Sequence, residues 1–342
     1  MLYFKNDYSF GAHKKVLDAL VATNDMPMDC YGFDAYTLSA EKKIREVCNA
    51  PDASVFLIAG GTQTNQLIIS THLDSFEGVI SATSGHVNVH EAGAIEHTGH
   101  KVLTLPSHDG KIDARELKSY ITDFYNDGNY THMVFPGMVY ISHPTEYGTI
   151  YKKQELTDIY AVCREYGIPL FIDGARLGYG LTCAESDMTM ADVASLCDVF
   201  YIGGTKVGAL CGEAVVFPKG NPPKHFLTRV KQHGAMLAKS RVLGVQFDAL
   251  FTDGLYLEIS KHASDMAELL KATLTRLGCR FYLDSPTNQQ FVILENEQMA
   301  KWQENVSISF IEKYDDTHTV ARFAVSWATT KEDIEALEKA LR

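Results

Sequence analysis

The sequence predicts an α/β fold with a mostly parallel central sheet and a smaller C-terminal α+β domain. Between about residues 50 and 217, short apolar runs alternate with segments of helical spacing. Such alternation implies crossover connections and a parallel sheet that is covered on both faces. After about residue 222 the regular alternation stops. We therefore predict a large domain over 1–250 and a small domain over 251–342, with helices and loops in the first 50 residues or so.

The apolar runs of the first domain are its predicted strands, at 55–59, 79–82, 102–105, 133–141, 169–172, 199–202 and 214–217. Helices are predicted over 63–73, 114–125 and 152–166, the last from apolar residues three and four apart. In the second part, two long helical stretches cover 227–251 and 254–278. Short strands near 280–283, 290–295 and 319–326 and a final helix over 331–341 follow.

The overall composition, with 46% hydrophobic and 22% charged residues, is that of an ordinary globular protein. A formal net charge of −12 argues against nonspecific nucleic-acid binding, which needs a basic surface. No apolar run approaches the length of a membrane span, and the N-terminus lacks a charged leader followed by an apolar stretch. Seven cysteines without a CxxC pair suit reduced thiols. We expect a cytoplasmic protein that acts on a small molecule.

Chemically useful side chains follow five of the predicted strands. The loops read GGTQTN, TSGHVNVHE, SHPTEYG, DGARLG and GGTKVG in chain order. In open α/β sheets, ligands bind at the carboxyl ends of the strands. These loops therefore predict a site that contains two glycine-rich turns, histidines, an aspartate, an arginine and a lysine.

The loop GGTQTN opens a predicted helix, where unpaired backbone N–H groups and the helix dipole favour an anion. Together with Thr62, it is suited to a phosphate, although an ordinary strand–helix turn would have the same residues. The GxGxxG pattern of dinucleotide sites and the GxxxxGK[ST] pattern of P-loops are both absent.

Asp173 and Lys206 end two successive strands, 33 residues apart. An aspartate at a strand end caps a turn, binds a metal or pairs with a protonated ring nitrogen, and a loop lysine is often merely solvated. Taken together with the phosphate loop, however, an acid and an amine at neighbouring strand ends match the needs of pyridoxal 5'-phosphate.

The order GTQTN, GH, DGARLG, GGTK resembles the threonine aldolase and β-eliminating lyase group of fold-type-I pyridoxal-phosphate enzymes. The resemblance covers most of the chain and includes NDYSFGAH near the start, CYGFDAYT at 30–37 and RFAVSWATTKEDIEAL near the end. It implies a fold-type-I architecture and an enzyme that breaks a carbon–carbon bond of an amino acid.

The resemblance also implies a role for each cofactor-binding residue. Lys206 matches the Schiff-base lysine, Asp173 the partner of the pyridine nitrogen, and His86 the imidazole that stacks on the cofactor ring. The remaining contacts to the cofactor would come from Gly61, Thr62, Arg176 and Thr205.

The substrate-binding residues follow from the same resemblance. Arg176 and Arg322 match arginines that grip the substrate carboxylate, which suits their planar fork. Tyr31 matches a tyrosine offered across a subunit interface, which implies a homodimer or homotetramer. His143 corresponds to a histidine that contacts the β-hydroxyl of the substrate, so that His143, or a water held by His86, is the predicted base.

The chain departs from the family pattern in two places. Members often read SDT near the N-terminus, where this chain has Asn6, Asp7 and Tyr8, and Asn6 is expected to donate a hydrogen bond to the substrate instead. Members also often read ENTH where this chain reads YISH before Pro144. Both changes alter the edge of the substrate pocket.

The predicted reaction is the retro-aldol cleavage of a β-hydroxy-α-amino acid of the threonine type to glycine and an aldehyde. β-Elimination uses the same cofactor and is the main alternative; transamination and a catalytically inactive cofactor binder are further ones. A zinc site is a rival interpretation of the cluster His86, His90, Glu91, His97 and His100. The HExxH motif is absent and His86 is needed as the stacking ring, so we expect no metal.

Overall fold

The computed structural model describes residues 1–342. Its N-terminal segment contacts a distant part of the chain, since residues 2–3 pair with residues 306–307. Asp34 begins the second helix as its N-cap, because its carboxylate accepts the N–H of Thr37 at 2.9 Å. The segment contains β1 (Leu2–Tyr3), α1 (Lys14–Thr23) and α2 (Ala35–Val47).

A seven-stranded sheet with flanking helices forms the centre of the molecule. It contains β2 (Ser54–Ile58), α3 (Gly61–His72), β3 (Glu77–Ala82), α4 (His86–Val89), α5 (Ala94–His97), β4 (Lys101–Leu105), α6 (Ala114–Asn126), β5 (Phe135–Ser142), α7 (Lys153–Tyr166), β6 (Leu170–Asp173), α8 (Leu177–Thr182), α9 (Met190–Ser195), β7 (Val199–Gly203) and β8 (Glu213–Phe217).

The strand order is β2-β8-β7-β6-β5-β3-β4, and every strand except β8 runs in the same direction. The seven predicted strands and the mostly parallel sheet are thus confirmed. β6, β7 and β8 are buried along their whole length, because two hydrophobic clusters, one on each face of the sheet, cover them. Because β8 is antiparallel, it begins at the edge where its neighbours end.

The remainder of the chain adds helices and a second, antiparallel sheet of order β12-β13-β10-β9. A third hydrophobic cluster packs under this sheet. The elements are α10 (Phe226–Gln232), α11 (Arg241–Leu250), α12 (Leu255–Arg276), β9 (Arg280–Phe281), β10 (Gln289–Glu295), α13 (Asn296–Gln303), β11 (Val306–Ser307), β12 (Ser309–Lys313), β13 (His318–Ala324) and α14 (Lys331–Leu341).

Two predictions for this part of the chain need correction, and one stays open. The helical stretch over 227–251 is broken into α10 and α11, because Gly234 takes a φ of +68° and ends the first helix. β1 was not predicted; it pairs in parallel with β11 and so joins the two ends of the chain. The division into domains at residue 250 stays a prediction. None of the helices is both long enough and apolar enough to cross a membrane.

The two loops that follow β6 and β7 approach each other too closely for side chains. A Cβ atom at Gly174 would lie 2.0 Å from the carbonyl oxygen of Tyr201, and one at Gly203 would lie 2.2 Å from that of Ala175. Because both obstacles are backbone atoms of a buried sheet, they cannot move aside. Glycine at both strand ends therefore allows the two loops to share one edge of the sheet.

We expect Gly174→Ala to lower the free energy of unfolding by roughly 3 kcal/mol, since the new methyl group overlaps backbone. Gly128→Ala is the matched control, because a Cβ there meets no atom within 4 Å. Denaturant unfolding of both variants measures the difference. Equal stability of the two variants would contradict the steric explanation.

Candidate active site

The carboxyl edge of the central sheet surrounds a cavity of about 300 Å³. The loops after β2, β3, β5, β6 and β7 each contribute side chains to its wall, as the sequence predicted for loops at this edge. A larger cavity of about 850 Å³ adjoins it and extends to β12 and β13 of the second sheet.

Lys206 lies in the turn between β7 and β8, with its side chain half-buried in the smaller cavity. The turn is closed by backbone bonds from Gly204 and Thr205 to the carbonyl of Gly212, at 2.9 and 3.1 Å. Burial and the nearby charge of Arg176 lower the pKa of Lys206 to about 8. A larger fraction of this amine is therefore neutral near pH 7 than in an ordinary lysine.

Asp173 ends β6 as a buried carboxylate with neutral hydrogen-bond donors around it. Tyr140 donates to Oδ2 at 2.7 Å, Asn65 to the same oxygen at 3.1 Å, and Tyr201 and the N–H of Ala175 donate to Oδ1. Burial by itself would raise the pKa of Asp173, but His86 and the two tyrosines lower it overall. All four groups that donate hydrogen bonds to this carboxylate are uncharged.

The start of α3 offers free backbone N–H groups to the cavity. Gly60 is the N-cap, has no side chain to cap the helix, and leaves open space where a Cβ would lie. Gly61 and Thr62 line the cavity. Thr205 also lines it, but its hydroxyl donates to Glu213 at 2.8 Å and accepts the N–H of Gly212 at 3.1 Å.

His86 begins α4 at the boundary between the two cavities. Its Nδ1 lies 2.7 Å from Oε1 of the buried Glu91, and Asn65 donates to the same oxygen at 2.6 Å. Asn65 also donates to Asp173. Its amide therefore links the carboxylate of Glu91, which contacts His86, to the carboxylate of Asp173 at the end of β6. This chain of contacts fixes the orientation of the imidazole.

Arg176 forms a two-point ion pair with the buried Asp7. Its Nε and Nη2 donate to the two carboxylate oxygens at 2.6 and 3.0 Å, and Asn288 donates to Asp7 at 2.9 Å. The remaining nitrogen of Arg176, Nη1, has no hydrogen bond within the chain. Asn6 does not line either cavity; its side-chain oxygen accepts the N–H of Tyr8 and the hydroxyl of Ser9.

Arg322 lies on β13 and lines the larger cavity without a carboxylate partner. Its Nη1 donates to Gln289 at 2.9 Å and its Nη2 to the carbonyl of Lys5 at 3.1 Å, while its buried Nε has no acceptor. Burial and the charge of Arg176 lower the pKa of Arg322 from its usual value. An added carboxylate would supply the charge that this guanidinium lacks.

Comparison with known proteins agrees with this geometry. The family model described as "Beta-eliminating lyase" matches residues 11–297. A low specificity L-threonine aldolase from a Pseudomonas species is 32% identical over 273 residues, which cover 79% of this chain and 77% of that protein. The chain belongs to the threonine aldolase and β-eliminating lyase family.

Solved structures give the same result for this family member. The threonine aldolase of Leishmania major is 41% identical, has a TM-score of 0.95 and is matched over 100% of this chain and 98% of its own. An aspartate aminotransferase from Thermus thermophilus, 15% identical over 99% of this chain and 90% of its own, has a TM-score of 0.71. The second likeness is one of fold, and the fold-type-I architecture implied by the sequence is confirmed.

In the structure of this family member His143 lines neither cavity, and its predicted contact with the substrate stays a prediction. The ring is buried, its Nδ1 accepts the N–H of Tyr151 at 3.3 Å, and its Nε2 has no partner. Burial lowers the pKa of His143 to about 4, so the ring is neutral. The side chain that the same loop directs into both cavities is that of Glu146.

Tyr31 also lies away from Lys206 within the same chain. It lines a separate apolar groove with Phe33, Leu227 and Met236, and Nζ of Lys231 is 4.7 Å from the centre of its ring. The predicted contribution of Tyr31 to the site of a second subunit stays a prediction. The residues of the alternative zinc cluster are not gathered into a group of three or more that could hold a metal.

Four polar residues of the site were not among the predicted catalytic or binding residues: Asn65, Glu91, Glu146 and Glu213. Asn65 and Glu91 are helix or loop residues whose contacts depend on tertiary structure. Glu213 begins β8, and its burial raises its pKa to about 8 beside Lys206. Glu146 follows β5 by four residues. A signal did exist for Glu213, because this acid directly adjoins an apolar run, whereas Glu146 lies beyond the end of its strand.

The Asp7–Arg176 pair predicts a pH-dependent stability. Burial opposes ionisation of Asp7, but Arg176 outweighs it and holds the pKa of this carboxyl below its usual range. The pKa of Asp7 is lower in the folded than in the unfolded protein. The ion pair therefore stabilises the fold fully above the pKa of the unfolded state, about 4, and this stabilisation is lost as the pH falls through the pKa of the folded state. Asp7→Asn should therefore cost about 3–5 kcal/mol at pH 7, since Arg176 loses its counterion.

The difference between the wild-type protein and Asp7→Asn should shrink as the pH is lowered below about 4. Denaturant unfolding across a pH series measures it. Asp18→Asn, which breaks the exposed pair with Lys14, is the control and should cost less than about 1 kcal/mol. A cost for Asp7→Asn that is the same at pH 3 and pH 7 would refute the ion-pair explanation.

Proposed function

We propose that this chain cleaves β-hydroxy-α-amino acids of the threonine type into glycine and an aldehyde, with pyridoxal 5'-phosphate as cofactor. The observation that carries the proposal is the convergence of Lys206, Asp173 and the free start of α3 on one cavity. Relatives named low specificity L-threonine aldolases in Pseudomonas support the choice of reaction.

The residues of the smaller cavity fit this cofactor. Asp173 is a buried anion held only by neutral donors, which suits a protonated pyridine nitrogen. The N–H groups at Gly61 and Thr62 suit the phosphate, and the open Gly60 leaves room for it. Lys206 is the amine that would hold the cofactor aldehyde. When bound, pyridoxal phosphate supplies an electron sink for the bond that breaks at Cα.

The lowered pKa of Lys206 serves its role as a nucleophile. Burial and Arg176 disfavour the ammonium form, so the neutral amine that attacks a carbonyl carbon is available near pH 8. His86, fixed by Glu91, presents an imidazole that stacks on the ring of the cofactor. Its position between the two cavities also allows it to hold a water beside the substrate.

Arg322 and the free Nη1 of Arg176 would bind the substrate carboxylate. Arg322 has no anionic partner in the chain, whereas two nitrogens of Arg176 are occupied by Asp7. This difference makes Arg322 the main anchor and Arg176 a preorganised second contact. Orientation of the substrate by these contacts decides which bond at Cα is aligned for cleavage.

β-Elimination uses the same cofactor and remains chemically feasible, but it is not favoured. The relatives of this chain in Pseudomonas and the Leishmania structure are named threonine aldolases. Detection of an aldehyde together with glycine, rather than ammonia with a keto acid, distinguishes the two reactions.

The active unit is proposed to be a homodimer or homotetramer, with the cytoplasm as its compartment. Exposed apolar side chains at Val21, Phe33 and Leu38 and the groove around Tyr31 support a surface that a second copy covers. All seven cysteines are unpaired, which suits a reducing compartment.

Lys206→Ala should reduce turnover of L-threonine to the detection limit, because the covalent anchor of the cofactor is lost. Borohydride treatment of the wild-type holoenzyme should add the cofactor mass to the peptide that contains Lys206, and the variant should not be labelled. Lys14→Ala, on the exposed face of α1, is the control and should behave as wild type. Undiminished acetaldehyde and glycine formation by Lys206→Ala would overturn the proposed function.

Arg322→Lys should raise the KM for L-threonine about 10- to 100-fold, since a lysine keeps the charge but loses the planar fork. The visible absorption of the bound cofactor should stay unchanged, because Arg322 lines only the larger cavity. The exposed Arg280 provides the control Arg280→Lys, and steady-state kinetics measure both variants. An unchanged KM would assign the carboxylate to another residue.

A further inference from the structure

The boundary between the two cavities is where a bound amino acid would meet both the cofactor and the open space for its side chain. The side chains that line both cavities are Tyr8, His86, Glu146, Arg176 and Lys206. Among them Glu146 is the acid.

Glu146 is held by one of its carboxyl oxygens. Oε1 accepts the backbone N–H of His86 at 2.9 Å and the hydroxyl of Ser142 at 2.5 Å. Oε2 makes no hydrogen bond within the chain and is not among the polar atoms buried without a partner. The carboxyl group is therefore anchored on one side and free to interact at the cavity on the other.

Three of the other groups at the boundary already have a contact or a proposed role. Arg176 is paired with Asp7, and the Nδ1 of His86 is bound to Glu91. Lys206 is the amine that would hold the cofactor. His143, the base expected from the sequence, is buried outside both cavities. Glu146 thus combines an acceptor oxygen, access to the boundary and a fixed orientation.

We propose that Glu146 is a catalytic residue that accepts the proton of the substrate β-hydroxyl through Oε2. The inference rests on the proposed function. The O–H bond breaks and its proton moves to Oε2, while the Cα–Cβ bond breaks and the Cβ–O bond becomes a carbonyl. Bound pyridoxal phosphate would supply the electron sink for the pair released at Cα. Cα then takes a proton from Lys206, and Glu146 releases its proton to solvent in the larger cavity after the aldehyde leaves.

The surroundings of Glu146 suit such a transfer. Burial raises the pKa of this carboxyl; Asp173 raises it further, while Ser142 and His86 lower it. The pKa of Glu146 is thus shifted upward from the usual carboxyl value, in the direction of neutral pH, and this favours proton transfer near neutral pH. The titratable and charged groups that it faces are Asp173, His86, Arg176, Tyr140, Tyr147 and Tyr151.

A purely structural role is the alternative, because Oε1 also fixes the start of α4 through His86. Glu146→Gln separates the two roles: its amide oxygen accepts the same two hydrogen bonds, but the side chain no longer takes up a proton. Glu146→Asp keeps the carboxyl and withdraws it by one methylene. A proton acceptor predicts partial activity in the aspartate variant and much less in the glutamine variant.

The experiment compares holoenzymes in two reactions, cleavage of L-threonine and exchange of the Cα proton of glycine in D₂O. Glycine has no β-hydroxyl, so its exchange does not need Glu146. For Glu146→Gln we expect kcat for cleavage to fall by about 10²- to 10⁴-fold and glycine exchange to stay within roughly threefold of wild type. The acidic limb of the pH profile of kcat should disappear with the carboxyl group.

A readout independent of activity is the infrared C=O band of a protonated carboxyl group. Because the buried Glu213 also carries such a proton near pH 7, the band of Glu146 is read from the difference between the spectra of the wild type and Glu146→Gln. This difference band should disappear as the pH is raised. Glu155→Gln is the control, because Glu155 follows the same loop on α7 and lines neither cavity. This control should keep both reactions and the infrared band.

Cleavage by Glu146→Gln within threefold of wild type would overturn the proposal, and so would a parallel loss of cleavage and glycine exchange, which indicates a structural role. Spectra of the wild type and Glu146→Gln that show no difference in the carboxyl band at any pH would overturn it as well. If wild-type holoenzyme catalysed neither reaction, the proposed function itself would fail. Wild-type activity combined with an active glutamine variant would refute the role of Glu146 alone.

Discussion

The buried charge of Asp173 is the constraint on which the architecture of the site depends. An isolated carboxylate in a protein interior is costly, so it must be surrounded by donors. Those donors come from separate elements: Tyr140 from β5, Tyr201 from β7 and Asn65 from α3. Satisfying this one carboxylate therefore fixes the mutual register of two strands and the helix whose start is suited to a phosphate.

The second organising contact links the ends of the chain to this centre. Asp7 follows β1, pairs with Arg176 beside α8 and accepts a hydrogen bond from Asn288 near β10. Because β1 also pairs with β11, the N-terminal residues are held between the two sheets. Arg176 owes its orientation to residues almost 170 positions earlier, so the site is complete only when both ends of the chain are folded.

Much of this arrangement is predictable from local pattern, and the remainder depends on tertiary contacts. The strands, the glycine loop, Asp173 and Lys206 could be found because apolar runs end abruptly at polar residues. The direction of β8 could not be read from its sequence, so Glu213 was missed. In the loop after β5, tertiary packing decides that Glu146 and not His143 reaches the cavities. The backbone N–H of His143 donates to the carbonyl of Asp173, so this residue continues the sheet.

The charge balance around Lys206 follows from these placements. Burial raises the pKa of Glu213 to about 8, so this acid is largely protonated at pH 7 and contributes little negative charge beside the lysine. Asp7 is neutralised by Arg176. Asp173, which lines the smaller cavity, and Arg322, which lines the larger one, thus remain as charged groups whose hydrogen-bond partners are all uncharged. An amino acid joined to a pyridinium carries the complementary charges, a cation for Asp173 and a carboxylate for Arg322. The fold separates these two charges and leaves between them a lysine whose amine can be neutral.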